Sequence, residues 1–295
     1  MITRFAPSPT GPLHLGHAYS AILAHNMAAD AGGTFLLRID DIDQTRARPE
    51  WEVQIYDDLR WLGLRWPKPV LRQSDRTSIY QQSLEWMWQR NYLFACTCTR
   101  RDVMAAVAAP QEGVLVLAGP DGLIYPGTCR ATTHMPLDQP MPTDTALRLN
   151  LGHVVDRLAT AHPDEGRVFS FIETGQGPNG ETGLIEFTAQ DAMDSIGDVV
   201  LARRDMGTSY HLSVVLDDAA QNITHVVRGH DLFEATKIHV ILQRLLGLET
   251  PIYHHHRLIR DDAGKRLAKR DDARAISKYR DDGATPTEIR AMVGL

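Results

Sequence analysis

Cysteine is nearly absent from this 295-residue chain: there are three, an odd number, all between positions 96 and 129. A disulfide framework would pair them and spread them, so it is excluded as the organising device. Long apolar runs are missing too. No stretch approaches the roughly 20 residues that a membrane-spanning helix needs. The opening Met1-Ile2-Thr3-Arg4-Phe5-Ala6-Pro7 has no apolar core of signal-peptide length, and Pro7, Pro9 and Pro12 interrupt any helix there. A cytoplasmic protein with no membrane partner is the expectation. Internal repeats, low-complexity tracts and an excess of positive charge are also lacking, the formal net charge being −6. That balance argues against a phosphate-binding surface covering much of the molecule, because Lys and Arg make such contacts.

What is present is an ordinary globular composition, 43% hydrophobic and 23% charged. A chain of this length buries a sizeable core without disulfides, and two packed units are expected. Charge is concentrated locally: residues 257–280 hold nine Lys or Arg. Asp261, Asp262, Asp271 and Asp272 are interleaved there, which on charge alone reads as a solvated helix face.

The first hundred residues alternate strand and helix signals. Ile2 to Ala6 reads as a short buried strand, followed by a Pro/Gly loop and a helix from His14 to Asp30, stopped at Gly32-Gly33. Thr34 to Ile39 is β-rich and apolar on both faces, as in an interior parallel strand. Trp51, Ile55, Leu59 and Leu62 share one helical face, and Ile79, Tyr80, Leu84, Met87 and Trp88 form a second apolar run. This order argues for right-handed parallel crossovers in an open α/β sheet. From Cys96 to about Phe187 the chain turns Pro- and Gly-rich, with β-like pieces at Val114–Leu117, Ala146–Leu151 and Val168–Ile172. The stretch Gly175–Gly183 reads as a loop or hairpin tip. The α/β pattern resumes at Asp198, with strands expected at Tyr210–Leu216 and Ile223–Val227. An amphipathic helix through Leu232, Ala235, Ile238, Ile241, Leu242 and Leu245 follows. Thr285, Pro286 and Glu288 mark the capped start of a last helix.

Chemistry concentrates first in Ser8-Pro9-Thr10-Gly11-Pro12-Leu13-His14-Leu15-Gly16-His17. A strand, a loop of small residues and a helix start form a natural seat for phosphate, since a helix N-terminus carries unpaired N–H groups and the positive dipole end. Gly11 and Gly16 permit close approach to the backbone, and His14 and His17 fall on one face of the first turn. The plainer reading is a helix start with exposed histidines.

Arg4-Phe5-Ala6-Pro7-Ser8-Pro9-Thr10-Gly11 with His14-Leu15-Gly16-His17 resembles the "HIGH" signature of class I aminoacyl-tRNA synthetases, in the form of the glutamyl and glutaminyl branch. Leu37 to Arg46 resembles the segment after that branch's second strand, Gly264 to Arg270 its "KMSKS" loop, and Ile223 to Gly229 the segment before its long helix. The four motifs stand in order across nearly the whole chain. The resemblance implies attack of the glutamate α-carboxylate on the α-phosphate of ATP, with Mg²⁺ carried by the nucleotide. Such chemistry needs positioning and charge neutralisation more than a protein nucleophile. His14, His17 and Lys269 are then the catalytic residues, and with Thr10, Gly11 and Gly16 they bind ATP. Arg4, Ala6, Ser8, Asp40, Tyr210 and Arg228 surround L-glutamate. By their residue types alone, Arg228 would read as a strand-end surface charge and Tyr210 as a core aromatic. Three positions depart from the family pattern: Asp40 stands where Glu is usual, Ala268 where Ser is, and Arg266 where Lys is.

Zinc prefers four ligands, and Cys96, Cys98 and Cys129 supply three. His134 would be the chemically ordinary fourth, and three reduced buried thiols are the alternative. Cys-x-Cys followed by Tyr-x-x-x-Cys resembles the structural zinc site of a short subgroup of the branch, which makes Tyr125 the fourth ligand. His254-His255-His256 read as surface residues or phosphate neighbours.

The fold implied is α/β: a Rossmann-type parallel sheet with an inserted zinc-containing α+β subdomain and a short helical C-terminal tail. Residues 1–95 and 191–250 would be the two halves of the catalytic domain, 96–190 the insertion, and 251–295 the loop and last helices. The chain offers no room for an anticodon-reading domain after that loop. Members of the short subgroup attach glutamate to the queuosine base in the anticodon loop of tRNA(Asp), and this is the expected partner of a monomeric enzyme. The other readings are a truncated enzyme charging the 3′ end of tRNA(Glu), an adenylate-forming enzyme that uses no RNA, and a non-catalytic RNA-binding relative.

Overall fold

The computed structural model describes residues 1–108, 118–130, 139–161, 167–259 and 274–295. Its frame is set by β1 (Ile2–Phe5), α1 (Leu15–Asp30) and β2 (Thr34–Ile39), a strand-helix-strand crossover with β1 and β2 parallel. Small residues on one side of α1 let the helix sit close to the strands: Ala18, Ala21, Ala24 and Ala28 are all buried beside Ile22, and Thr3 Oγ1 donates to Ala24 O at 2.8 Å. Each fully buried Ile or Leu in such a layer contributes about 1.5–3 kcal/mol. β2 is an interior strand, as its two apolar faces require, because β3 (Leu71–Arg72) pairs parallel on its other side. Between them run α2 (Pro49–Trp61), and after them α3 (Thr77–Trp88), both on the expected apolar periods.

A four-stranded sheet lies beside this one, in the order β11 (His225–Gly229), β12 (Ile252–His256), β8 (Val168–Glu173) and β9 (Gly183–Thr188). The first three are parallel, and β8–β9 is an antiparallel hairpin whose tip holds Gly175–Gly180. β1 lies alongside β11, and Thr224 N donates to Ile2 O at 3.0 Å where the two meet. From that seam the chain runs outward both ways, to β2 on one side and through α8 (Ala235–Leu245) to β12 on the other. The carboxyl ends of β1 and β11 therefore diverge around a crevice, which is where open parallel sheets bind ligands.

A separate, antiparallel sheet is formed by β4 (Leu93–Cys96), β7 (Ala146–Leu149) and β10 (Val200–Ala202), in the order β10-β7-β4. Around it lie α4 (Arg100–Ala108), the two-residue strands β5 (Ala118–Gly119) and β6 (Gly122–Leu123), α5 (Leu151–Ala161) and α6 (Ala189–Ser195). Pairing thus crosses the expected boundaries at 95/96 and 190/191: β4 and β10 belong with β7, and β8 and β9 extend the parallel sheet. The β-like piece Val114–Leu117 lies outside the described residues.

Tyr210–Leu216, expected to be a strand, is helical: α7 spans Tyr210–Ala220. Ser209 caps it, its hydroxyl accepting from Leu212 N at 3.4 Å. His211 through Val215 are buried without a break, so this run shows no solvent-exposed face, and its short length makes it look the same as a core strand. β11 spans His225–Gly229 and so begins two residues later than the strand expected at Ile223. The tail forms α9 (Ile276–Asp281) and α10 (Pro286–Val293), and Thr285 and Glu288 make the expected reciprocal cap.

Candidate functional site

A cavity of about 380 Å³ opens at the carboxyl ends of β1, β2 and β11. His14, Gly16 and His17 line it from the start of α1, and Arg4 and Ala6 from the end of β1. Asp40 follows β2, Tyr210 begins α7, and Arg228 comes from β11. Ser8, Thr10 and Gly11 stay in the β1–α1 loop and are not among the lining residues. That loop is tied down by Asp40 N donating to Pro7 O at 3.1 Å and Arg48 N to Pro9 O at 3.0 Å. Lys269 and the Gly264–Arg270 stretch lie outside the described residues. The segment leaves from the cavity wall at Ile259 and returns at Ala275, which is bridged to His14. Ile276 N donates to Leu13 O at 2.8 Å on that return.

The two histidines build the helix start themselves. His14 Nδ1 accepts from Gly16 N at 3.1 Å, and His17 Nδ1 accepts from His14 N at 3.2 Å, a reciprocal cap made of imidazoles. The rings lie 3.8 Å apart between centroids. With Nδ1 accepting in each, a neutral ring carries its proton on Nε2, the donor form suited to a phosphate oxygen. Two amides of this turn are consequently occupied by side chains and are not open to a ligand.

Beneath the cavity runs a buried charge network that the sequence reading missed. Arg38, fully buried in β2, donates from Nε to Asp40 Oδ1 at 2.7 Å and from Nη1 to Asp218 Oδ1 at 2.6 Å. Arg4 grips both oxygens of Asp218, at 2.9 and 3.1 Å. Asp217, 3.9 Å from Arg38, collects Gln73, Arg76 and the Tyr80 hydroxyl. Burial works to raise the Asp218 pKa, but Arg4 and Arg38 outweigh it and hold the carboxyl below its ordinary range. At Asp40 burial wins over Arg38, and the carboxyl is shifted upward. The signals were visible as an arginine inside an apolar strand and an Asp-Asp pair in a buried run. Replacing Arg38 by Met is expected to cost about 3–5 kcal/mol of stability, because three buried carboxylates lose their shared counter-charge. Urea denaturation measures it, and a loss under about 1 kcal/mol would mean the carboxylates are neutral.

Arg228 is buried, contrary to a surface reading, and Tyr210 lies partly exposed at the cavity mouth with its ring 5.7 Å from that of His239. His255 and His256 are also buried: His255 pairs with Glu173, and His256 Nε2 lies 2.7 Å from Ser20 Oγ. Their place on the interior strand β12 corrects the surface reading for these two, whereas His254 is half-buried, and His256 also lines the cavity.

Away from the cavity, Cys96, Cys98 and Cys129 converge, their sulfurs all within 4.8 Å of one another. Tyr125 is buried among them, its oxygen 3.5 Å from Cys96 Sγ and 3.4 Å from Cys98 Sγ, and it accepts from Cys129 N at 2.8 Å. A zinc ion with bonds of ~2.3 Å to sulfur sets tetrahedral sulfurs about 3.8 Å apart, so this donor set fits it. Arg148 donates from Nε to Cys96 Sγ at 3.2 Å and lies over the Tyr125 ring. Burial pushes the Cys98 thiol up to about 11, whereas hydrogen bonds led by Tyr125 overcome burial and bring Cys129 down to about 6. His134, the other fourth-ligand candidate, lies outside the described residues.

The model of the class I tRNA synthetases (E and Q), catalytic domain, matches residues 1–110 and 179–295. A protein of Rhodobacter capsulatus called glutamyl-Q tRNA(Asp) synthetase is 61% identical over the full length of both chains. One of the same description from Symbiobacterium thermophilum is 37% identical, the alignment covering 97% of this chain and 83% of that one. Among solved structures, the glutamate tRNA ligase of Elizabethkingia meningosepticum superposes with a TM-score of 0.74 at 24% identity. This chain is covered completely and spans 60% of that one, so the likeness speaks for the fold alone. With the crevice, the paired histidines and the strand order already in place, these similarities are decisive: the chain belongs to the class I tRNA synthetases of glutamyl and glutaminyl type, within their glutamyl-Q tRNA(Asp) synthetase group.

Proposed function

We propose that the protein activates L-glutamate with ATP as glutamyl-adenylate and transfers the glutamyl group to the queuosine base in the anticodon loop of tRNA(Asp). The observation that carries this is the cavity at the β1–β11 seam, which gathers phosphate-type donors and buried arginines in one place. Names of the relatives at 61% and 37% identity support the choice of acceptor.

In this reading the glutamate α-carboxylate attacks the α-phosphate in line, and pyrophosphate leaves. His14 and His17 donate to phosphate oxygens, Gly16 lets the nucleotide approach, and Thr10 and Gly11 shape the loop above it. Lys269 neutralises the developing charge from a segment anchored on both sides of the cavity. Mg²⁺ enters with ATP, held mainly by phosphates and water. Arg228 and Arg4 face the substrate carboxylates, Asp40 the α-amino group, and Tyr210, Ser8 and Ala6 complete the amino-acid site. Arg4 is already neutralised by Asp218, so Arg228 carries the larger share of the attraction. Cys96, Cys98, Tyr125 and Cys129 hold a structural zinc that fixes the loop carrying Tyr125 and Cys129 against β4. We further assign most of residues 1–95 and 191–250 to the catalytic unit, extended by β8 and β9, with 251–295 closing it and the rest of 96–190 forming the zinc-bearing insertion together with β4 and β10. The protein acts as a cytoplasmic monomer.

The test is transfer of labelled glutamate, with ATP and Mg²⁺, to tRNA(Asp) with and without queuosine, beside tRNA(Glu). Label on queuosine-containing tRNA(Asp) alone is the expected result. Label on tRNA(Glu) would instead mean an enzyme that charges the 3′ end.

A further inference from the structure

Arg228 differs from its buried neighbours in the cavity. Arg4 and Arg38 each have carboxylate partners, but among the described residues Arg228 forms no ion pair. Its contacts are all neutral. Nη2 donates to Thr236 Oγ1 at 2.6 Å and to Leu232 O at 3.2 Å. Nε donates to His255 Nε2 and Nη1 to His239 Nδ1, both at 3.1 Å. The guanidinium also lies over the Tyr253 ring, 5.2 Å from its centroid. Four of the five N–H bonds of an arginine are thereby used, and the remaining one, on Nη1, belongs to a residue that lines the cavity.

Arginine can only donate, which fixes the proton positions on both imidazoles. His255 Nε2 must be bare, so its proton sits on Nδ1, facing Glu173 Oε2, which also pairs with the ring as an acceptor. His239 Nδ1 must be bare too, so Nε2–H donates to His211 Nδ1 at 3.1 Å. His211 then turns Nε2–H toward Asp121 Oδ1, 3.6 Å away. Each histidine touching Arg228 is thus held in one tautomer by a group behind it: Glu173 from β8 for His255, and His211 from α7 for His239. Burial, and after it the Arg228 charge for His239, shifts both imidazoles below their ordinary range, which keeps them neutral.

We infer that His239 and His255 are positioning residues for the amino-acid site: as neutral acceptors in fixed tautomers they hold the Arg228 guanidinium at the cavity and leave its charge for the carboxylate of the substrate. A carboxylate in either place would neutralise Arg228 in advance, and a protonated imidazole would repel it and lose its acceptor. Neutral acceptors fix the group without spending its charge. The inference rests on the reading of Arg228 as a glutamate partner.

The experiment is glutamate-dependent pyrophosphate exchange by the full chain, run with tRNA present, on the wild type and on three variants at position 239. His239→Leu removes the acceptor. His239→Gln restores it, since its amide oxygen can accept from Arg228 while its nitrogen donates to His211. His239→Glu supplies the counter-charge, and it keeps the variant set informative if the Leu protein fails to fold. The expected pattern is a glutamate KM raised roughly tenfold or more for Leu and further still for Glu. Gln should return within about threefold of wild type, and the ATP KM should stay within about twofold throughout. An unchanged glutamate KM in both Leu and Glu overturns the inference, as does a parallel rise in both KM values, which marks general loosening. A wild-type protein with no glutamate-dependent exchange would overturn the functional reading itself, and this inference with it.

Discussion

Replacing Arg228 by alanine is expected to raise the glutamate KM by roughly a hundredfold to a thousandfold, with the ATP KM nearly unchanged. The size follows from the environment. The guanidinium is buried, lies over an aromatic face and has no carboxylate partner among the described residues, so a substrate carboxylate meets an uncompensated charge at low dielectric. Removing one partner of such a buried, hydrogen-bonded pair costs about 2–5 kcal/mol, and each 1.4 kcal/mol is about tenfold. Arg4→Ala should shift the glutamate KM less, because Asp218 already takes up most of the Arg4 charge through bonds from Nε and Nη2. Steady-state exchange at varied glutamate and fixed ATP, then the reverse, separates the two. An ATP KM that rises with the glutamate KM unmoved would remove Arg228 from the amino-acid site.

Changing Cys98 to serine should take the zinc content of the purified protein from about one per chain to near none. Cys98 is central to the cluster: its sulfur lies 3.4 Å from both the Tyr125 oxygen and Cys129 Sγ. Without metal, the buried Tyr125 hydroxyl keeps only its sulfur neighbours and the Cys129 amide, and the loop from Tyr125 to Cys129 loses its main tie to β4. Protease cleavage near that loop and a thermal transition lowered by several degrees should accompany the loss. Glutamate-dependent exchange should survive in part, since the cluster lies outside the cavity lining. A wild-type protein without zinc, or a Cys98→Ser protein that keeps it, would remove the proposed site. Tyr125→Phe addresses the fourth ligand: zinc retained at full occupancy in that variant would point to another residue.

Much of the architecture could be read from local pattern. β2 was legible because Thr34–Ile39 is apolar on both faces, which only an interior strand satisfies. α10 was legible because Thr285, Pro286 and Glu288 solve the helix-start problem with their own side chains. The placement of β8 and β9 in the parallel sheet was not, because nothing within Val168–Thr188 says which distant strand it will pair with. α7 was misread for a related reason: its polar residues are turned into the buried networks, so the run from His211 to Val215 has no exposed face of the kind that betrays a helix. The resemblance brought Arg4, Asp40, Tyr210 and Arg228 to one cavity, but it did not disclose that Arg38 and Asp218 hold two of them in place.

The sequence by itself determined which atoms are available: the imidazole pair at a helix start, the arginines, three cysteines with a tyrosine, and the family to which their order belongs. Those are matters of residue type and short spacing, fixed by covalent geometry and by the periods of helix and strand. The tertiary structure alone decided which charges remain uncompensated. Arg4 and Arg228 look equivalent in the chain, yet Asp218, 214 residues away from Arg4, neutralises one, while His239 and His255 leave the other charged. The energy of a buried charge depends on its neighbours in space, and those neighbours exist only once the sheet has closed.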